Sequence, residues 1–242
     1  MIHHPYMDIP IPDLSSLRAR KAEYKSMPIR PVAEGCVVVN DRFLCRSYYW
    51  HYDPRPPGAM EEILLRTSVV EKLLRIEWQL LPLGLRLIIQ EGYRPISVQD
   101  FVQGYSVTKQ LRKENPNLSD GQIVELAKQF AASANGNVQT SPPPHLTGGA
   151  VDLNLVYIDS YEQVDMAKKL GLFSTAYPDS LESVDIEGIE EARRFRRLLY
   201  WMLFYENMVT NPTEWWHASY GDQLWASVKC RHYAHFGPAR FD

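Results

Sequence analysis

The stretch PPPHLTGGAVDLNL, residues 142–155, constrains this chain more than any other part of it. Three prolines in a row lack backbone donors and hold the chain extended before His145. Two glycines then allow a tight turn, and the pattern that follows predicts a strand over Gly149–Tyr157. This geometry lets the side chains of His145 and Asp152 converge on one point. Imidazole and carboxylate are both zinc ligands, so the stretch predicts two ligands of one metal ion.

A second motif, Glu214-Trp215-Trp216-His217, supplies a further ligand and a base. A catalytic zinc ion takes three protein ligands and leaves one position for water, and His217 is the best candidate for the third ligand. Glu214 and His217 point to opposite faces of a regular strand, so we expect a turn or bend that brings them together. A carboxylate beside the metal can take the proton of the attacking water and pass it to the leaving amine.

A third motif, GYRP at residues 92–95, follows a predicted buried strand over Leu85–Gln90. Arg94 is fixed there between two stiff neighbours, and its guanidinium can hydrogen-bond the oxyanion that forms when water attacks a carbonyl. Such stabilisation is worth about 3 kcal/mol per donor. Each motif alone has a plainer interpretation, since a histidine beside a strand is more often structural and a buried arginine often forms a salt bridge. Their occurrence together predicts a zinc hydrolase.

The three motifs resemble those of the zinc D-alanyl-D-alanine dipeptidases of the vancomycin-resistance type. These dipeptidases belong to a larger zinc family that includes D,D-carboxypeptidases and hedgehog-like proteins. The family pattern SxHxxGxAxD is matched at residues 143–152 in all but its serine, ExxH at 214–217 and GYRP at 92–95. The resemblance runs from about residue 36 to residue 230. It implies a hedgehog-like zinc peptidase fold with one zinc ion per chain. It implies these roles: His145, Asp152 and His217 as zinc ligands, Glu214 as general base, and Arg94 as stabiliser of the transition state.

The chain departs from the family where substrate is bound. Pro143 replaces a family serine whose hydroxyl can hydrogen-bond substrate, and Ser141 or Thr140 are the possible substitutes. Asp179 is the candidate for holding the substrate ammonium group. These departures put the identity of the dipeptide in question more than its hydrolysis. The predicted substrate contacts are Asp179, Ser141, Tyr93 and Trp216.

The order of predicted elements favours an α+β fold, with a central and mainly antiparallel sheet flanked by helices, because strands and helices do not alternate regularly. We expect an extended N-terminal arm over residues 1–35 and a single zinc peptidase domain over 36–242. Residues 36–50 predict a hairpin or two short strands. Predicted helices cover 60–81, 97–111, Asp120–Ala132 with a capping box of Ser119 and Gln122, 160–170, and Gly188–Val209.

The composition excludes several classes of function. Lys+Arg is 26 and Asp+Glu is 29, which gives a net charge of −3 and a pI of about 6.2. No basic surface for nucleic acid or an acidic membrane is indicated. The N-terminus has no basic segment before an apolar run, and no stretch approaches the ~18 apolar residues that span a bilayer. Three cysteines make no disulfide framework. We therefore expect a cytoplasmic protein.

The sequence as a whole predicts a zinc dipeptidase whose partner is a small dipeptide, with D-Ala-D-Ala as the leading substrate. A D,D-carboxypeptidase acting on longer muropeptides is one alternative, and the lack of a signal peptide argues against it. A biosynthetic amide hydrolase acting on a modified peptide is another, which Pro143 leaves open. The last is an inactive, zinc-stabilised binding module. Glu214 and Arg94 argue against it, because a binding module needs neither.

Overall fold

The computed structural model describes residues 2–128, 130, 137–166, 170–173 and 175–241. Its strands form a five-stranded sheet, β2-β4-β5-β7-β6, and a two-stranded sheet, β1-β3. The strands are β1 (Cys36–Val38), β2 (Leu44–Cys45), β3 (Leu64–Arg66), β4 (Leu85–Glu91), β5 (Ala150–Tyr157), β6 (Val209–Asn211) and β7 (Glu214–Ser219). In the larger sheet only β2 and β4 run parallel. The predicted α+β class with a mainly antiparallel sheet is confirmed.

The largest hydrophobic core packs the central sheet against two long helices, α2 and α6. The α-helices in the described residues are α1 (Ser15–Ala19), α2 (Thr67–Leu80), α3 (Ile96–Phe101), α4 (Val107–Glu114), α5 (Asp120–Ala127), α6 (Ile189–Tyr205) and α7 (Gln223–Val228). Val151, Leu153 and Leu155 of β5 are buried in one cluster with residues of α2 and α6. Side chains alternate along a strand, so Asp152 points away from this cluster. None of the described helices is both long and apolar enough to cross a membrane.

The strands predicted over residues 36–50 form, but they do not pair with each other. Residues 36–50 do contain two short strands, but the hairpin is wrong, because β1 pairs antiparallel with β3 and β2 pairs parallel with β4. The helix predicted over 60–81 begins only at Thr67, since the apolar residues before it form β3. A short apolar run fits a strand as well as a helix, and only its pairing partner decides between them.

The helices after β4 follow the prediction with shifted bounds. The segment predicted over 97–111 begins at Ile96 without a Ser97 cap, and it reaches Glu114 through a π-helical turn at Val102–Ser106. The capping box of Ser119 and Gln122 is present and starts α5. That helix ends at Ala127; of the stretch predicted to continue it to 132, residues 129, 131 and 132 lie outside the described residues.

Two predictions in the C-terminal half need correction. No helix forms over 160–166, where Gln163 makes an isolated bridge to Val156 instead, and residues 167–169 lie outside the described residues. The helix predicted over Gly188–Val209 ends at Tyr205, because Val209 enters strand β6 and pairs with β7. In both places pairing with a distant strand overrides the local preference.

The N-terminal arm, residues 1–35, packs onto the rest of the chain with short helical segments at Pro5–Asp8, α1 and Lys21–Ser26. The carboxylate of Asp179 accepts hydrogen bonds from Arg18 and from the backbone N–H of Leu14. Farther along, Gln223 Nε2 donates to the carbonyl oxygen of Met27. The sequence predicts an extended arm; the structure shows one that is partly helical and anchored at several points.

Candidate metal centre and catalytic site

The register of the central sheet brings three titratable side chains into one row. Asp152 of β5 lies directly opposite both His217 of β7 and Glu91 of β4. Residues that lie opposite each other in an antiparallel pair project from the same face. Glu91 joins this face because the register of β4 against β5 shifts between Ile89 and Glu91. Such a bulge re-aims the side chain that follows it.

His145 reaches the same region from the 3-10 turn Pro144–Thr147, which ends at Gly148 with a left-handed φ of +70°. Its Nδ1 lies 2.8 Å from the carbonyl oxygen of Gly92. A carbonyl can only accept, so Nδ1 carries the hydrogen and Nε2 presents a lone pair. Burial, reinforced by the charge of Arg94, lowers the pKa of His145 to about 4. The imidazole is therefore neutral at neutral pH, the form that binds metal.

Three ligand atoms converge where these elements meet. His145 Nε2 lies 3.0 Å from His217 Nδ1 and 3.3 Å from Asp152 Oδ1, and the latter two atoms are 3.1 Å apart. Asp152 Oδ1 is buried and has no hydrogen-bond partner among the residues that the structure describes. Two ring nitrogens and a carboxylate oxygen form the donor set of a zinc site with one open position. The three residues predicted as zinc ligands lie together and fit one such ion.

Each residue of this group has a further contact that fixes its orientation. The Nε2 of His217 lies 3.2 Å from Ser219 Oγ, and the Oδ2 of Asp152 accepts from Arg94 Nη2 at 3.1 Å. Although burial raises the pKa of Asp152, the imidazoles of His145 and His217 bring it well below its usual value. Asp152 is therefore ionised at neutral pH. Such outer contacts commonly orient metal ligands.

Glu214 and His217 share a face although both lie in β7. The sequence predicts a turn or bend there, and the structure shows a strand with a bulge instead. Asn211 of β6 pairs with Glu214, while the residue before Asn211 pairs with Ala218. The extra residues of β7 bulge out of the ladder, and Glu214 Oε2 lies 3.7 Å from His217 Nδ1. The bulge thus brings Glu214 and His217 together, which is what the predicted turn was expected to do.

The Glu214 carboxylate is buried at the edge of the ligand group. Burial raises its pKa, and the positive charges of Lys21 and His217 oppose that increase. Asn211 Nδ2 donates to Glu214 Oε2 at 2.6 Å. A carboxylate with a raised pKa accepts a proton more readily near neutral pH, which suits a general base.

Arg94 is buried on the other side of the ligand group. Its Nη1 donates to Gln99 Oε1 at 3.1 Å, while Nη2 holds Asp152. Within the described residues its Nε has no hydrogen-bond partner. The guanidinium carbon lies 5.1 Å from the centre of the Tyr49 ring. Arg94 therefore has two donors that hold it in place and a third that remains available.

Glu91 is a site residue that the sequence analysis missed. Its Oε2 lies 4.0 Å from Arg94 Nε, and burial raises the pKa of Glu91 to about 8. Strand alternation counted from Ile89 assigns position 91 to the core face, and only the bulge turns it toward Asp152. Its place directly before the GYRP motif is the signal that could have identified it.

These groups line a cavity of about 780 Å³. Trp216, a predicted substrate contact, lines it too, with its ring centre 6.4 Å from that of Phe173. The N-terminal arm contributes the basic residues Arg18, Lys21 and Lys25 to the wall. The Asp152 carboxylate and several cations thus face the same space.

The other three predicted substrate contacts are not among the described residues that line this cavity. The ring of Tyr93 packs edge-on against Phe241, with centroids 4.6 Å apart. The Asp179 carboxylate is held by Arg18 at 2.6 Å, so it anchors the arm. Ser141 lies in a turn, where its N–H donates to the carbonyl oxygen four residues earlier at 2.8 Å. Their roles as substrate contacts stay predictions.

Known proteins similar to this chain include a curated relative and two solved structures. The D-alanyl-D-alanine dipeptidase of Synechocystis sp. is 28% identical over 240 residues, covering 92% of this chain and 89% of the relative. A zinc-bound mutant of the vancomycin-resistance D,D-pentapeptidase VanY is 14% identical with a TM-score of 0.38, covering 74% of this chain and 83% of that one. The LD-carboxypeptidase LdcB is 13% identical with a TM-score of 0.33, covering 82% and 73%.

A family model described as D-ala-D-ala dipeptidase matches residues 56–236. The matched range includes the GYRP motif, the turn with His145, the strand with Asp152, and the pair Glu214 and His217. Arg94, His145, Asp152, Glu214 and His217 of these motifs all line the cavity. Both its sequence and its site place the chain among peptidases. The chain belongs to the D-Ala-D-Ala dipeptidase family.

Proposed function

We propose that this protein is a zinc-dependent dipeptidase that hydrolyses a small dipeptide with a free amine and a free carboxylate, D-Ala-D-Ala being the leading substrate. The convergence of His145 Nε2, Asp152 Oδ1 and His217 Nδ1 beside Glu214 carries the proposal. Three ligands alone would also suit a binding module that holds zinc without catalysing a reaction. A buried carboxylate next to them, outside the ligand group, is what hydrolysis requires.

The chemistry divides between the metal and three side chains. When bound, zinc supplies a Lewis acid that polarises the peptide carbonyl and acidifies water. Glu214 accepts the proton of the attacking water and returns it to the leaving amine. His217, 3.7 Å from Glu214, keeps the base close to the ligand group. Asp152, ionised through its imidazole neighbours, lowers the net charge of the centre.

Arg94 is the proposed donor to the oxyanion. Arg94 lines the cavity, its Nη atoms are held by Asp152 and Gln99, and its buried Nε has no hydrogen-bond partner among the described residues. A preorganised donor of this kind costs no reorganisation when charge develops on the carbonyl oxygen. The Nε–H of Arg94 is therefore the group assigned to the transition state.

The size of the cavity favours one alternative, a D,D-carboxypeptidase that cuts longer peptides. A volume of about 780 Å³ is large for a dipeptide, since it lies in the upper part of the ~300–1,000 Å³ range that holds drug-sized ligands. The basic residues Arg18, Lys21 and Lys25 would also suit a substrate with more than one carboxylate. The dipeptidase remains the primary proposal because the family match is to dipeptidases.

A panel of four peptides separates these functions. The zinc-loaded protein is incubated with D-Ala-D-Ala, its N-acetyl derivative, a longer peptide ending in D-Ala-D-Ala, and L-Ala-L-Ala. The dipeptidase proposal predicts alanine release from D-Ala-D-Ala and little from the blocked or longer peptides. Faster cleavage of the longer peptide would establish the carboxypeptidase instead. Zinc binding without cleavage of any peptide would favour the remaining alternative, an inactive and zinc-stabilised binding module.

The proposed reaction takes place in the cytoplasm, on a peptide that the cell holds in solution. None of the three cysteines, Cys36, Cys45 and Cys230, is disulfide-bonded. Free thiols are compatible with a reducing compartment.

A further inference from the structure

We propose that Lys21, Thr213 and Asn211 form a hydrogen-bonded network, the Lys21–Asn211 network, that positions Glu214 for catalysis. Through Lys21 the N-terminal arm then becomes part of the active site. The inference rests on the proposed function, because it concerns the base of that reaction. Its residues bear on catalysis only through Glu214, so they are positioning residues.

Asn211 is the member that touches Glu214, and its amide can be oriented in one way only. Its Oδ1 lies 3.2 Å from the backbone N–H of Thr213, which can only donate. The oxygen must therefore be on that side, and Nδ2 must face Glu214. Nδ2 donates to Glu214 Oε2 at 2.6 Å. The buried amide thus fixes the carboxylate oxygen that lies 3.7 Å from His217 Nδ1.

Thr213 links Asn211 to the arm. Its hydroxyl donates to Asn211 Oδ1 at 3.1 Å and accepts a hydrogen bond from the ammonium group of Lys21. An ammonium group can only donate, so the donors point in one direction from Lys21 through Thr213 to Asn211. A cation at the start of such a chain polarises every bond in it. All of these bonds therefore strengthen the hydrogen bond from Asn211 to Glu214.

The position of Lys21 is fixed by the anchors of the arm. Arg18, three residues earlier, binds Asp179 at 2.6 Å, and Gln223 Nε2 holds the carbonyl oxygen of Met27. Lys21 itself lines the cavity. It lies outside the residues 56–236 that match the family model. Lys21 thus reaches the site from outside the range that carries the family motifs.

The pKa shifts of Lys21 and Glu214, the two ends of the network, agree with this arrangement. Burial raises the pKa of Glu214, and the largest effect that opposes this increase is the positive charge of Lys21. Burial in turn lowers the pKa of Lys21, and Glu214 opposes that decrease. Each charge thus favours the ionised form of the other. Thr213 and Asn211 connect the two side chains through hydrogen bonds.

Isosteric substitutions test the network. Asn211→Asp keeps the shape but replaces the donor with a carboxylate that repels Glu214, and Thr213→Val removes only the hydroxyl. We expect kcat to fall roughly 10- to 100-fold in both, as for a misplaced catalytic group, with KM within about threefold of wild type. Lys21→Met should lower kcat by a smaller factor. Thr213→Ser and Lys21→Arg should recover most of the loss.

The controls separate positioning from folding. Arg20→Met removes a charge from the exposed side of the arm, where Arg20 pairs with Glu23 at 3.2 Å, and should leave kcat unchanged. Zinc content and Tm are measured for every variant. Full kcat in zinc-replete Asn211→Asp or Thr213→Val, or a loss confined to KM, would overturn the network. A wild-type protein that cleaves none of the four peptides would overturn the proposed function, and this inference with it.

Discussion

At the scale of single residues, Glu91 should give the metal-free protein a pH-dependent stability. Burial raises its pKa from 4.5 to about 8. Between these values the folded protein holds a proton that the unfolded chain releases, so this carboxyl lowers the free energy of unfolding as pH rises. Glu91→Gln removes that contribution. Relative to wild type, the variant should gain stability from pH 5 to 8, by about 1.4 kcal/mol per unit of pKa shift.

The measurement is urea unfolding of both metal-free proteins at pH 5, 6, 7 and 8. The m-values should agree between the proteins, so that the midpoints report stability alone. A difference between Glu91→Gln and wild type that stays constant over this range would show that the carboxyl does not titrate as described.

A second residue-scale prediction concerns Arg94→Lys. Lysine keeps the positive charge but has neither the planar fork nor an Nε–H in that position. We expect kcat/KM to fall by roughly 10²- to 10³-fold, the usual loss for one oxyanion donor. Zinc content must be checked, because Arg94 Nη2 also holds Asp152. An unchanged kcat in zinc-replete Arg94→Lys would assign the oxyanion to another donor.

The residues that sequence could predict are those with a recognisable local pattern. His145, Asp152 and His217 are the predicted ligands, and they converge as expected. Glu91 and Asn211 were not predicted, because each faces the site only through a bulge that no local pattern reveals. The predicted substrate contacts depend on loops and on the arm, and of the four only Trp216 is among the described residues that line the cavity.

At the scale of elements, the turn that carries His145 should depend on Gly148. A Cβ there would lie 2.5 Å from Cys36 Sγ, and φ is +70°. Gly84 has nearly the same φ, +72°, with nothing within 4 Å of its Cβ position. Gly84→Ala should cost only the left-handed strain of about 1–2 kcal/mol. Gly148→Ala should cost about 1–3 kcal/mol more through crowding.

Thermal unfolding of the two glycine variants measures this difference, at about 2–4 °C of Tm per kcal/mol for a chain of this size. Adding Cys36→Ala to Gly148→Ala should restore the part of Tm that is lost to crowding. The part that is lost to backbone strain should remain. Equal Tm losses in Gly148→Ala and Gly84→Ala would mean that the turn relaxes around the new methyl group.

Element types were predicted better than element partners. Leu85–Glu91 and Ala150–Tyr157 form strands within one residue of the expected bounds, because long apolar alternation is a strong local signal. The segment at 36–50 and the end of α6 differ from prediction, since their strands are set by pairing with distant residues. Local propensity does not contain that information.

At the scale of the whole molecule, zinc should stabilise the fold, because its three proposed ligands come from β5, β7 and the turn before β5. An ion that binds only the folded state at about 1,000 times its Kd adds about 4 kcal/mol, a Tm increase of roughly 8–16 °C. His217→Ala removes one ligand and should abolish most of this increase. A zinc-induced shift of equal size in His217→Ala would place the ion elsewhere.

The whole-molecule architecture was predictable as a class but not in detail. The absence of regular alternation indicated an α+β fold, and the structure has it. The sequence indicated an arm laid over the domain but not the contacts that hold it, because these are made by individual side chains such as Arg18 and Gln223 rather than by a repeating pattern.

The most direct test of the central claim is D-alanine release from D-Ala-D-Ala, measured with the zinc-loaded wild type and with zinc-loaded Glu214→Ala. Both proteins should bind one zinc ion per chain, because Glu214 lies outside the ligand group. Wild type should release D-alanine, and the variant should be slower by about 10²- to 10⁴-fold, the usual contribution of a general base. Equal rates in the two zinc-replete proteins, or no release by the wild type, would contradict the account.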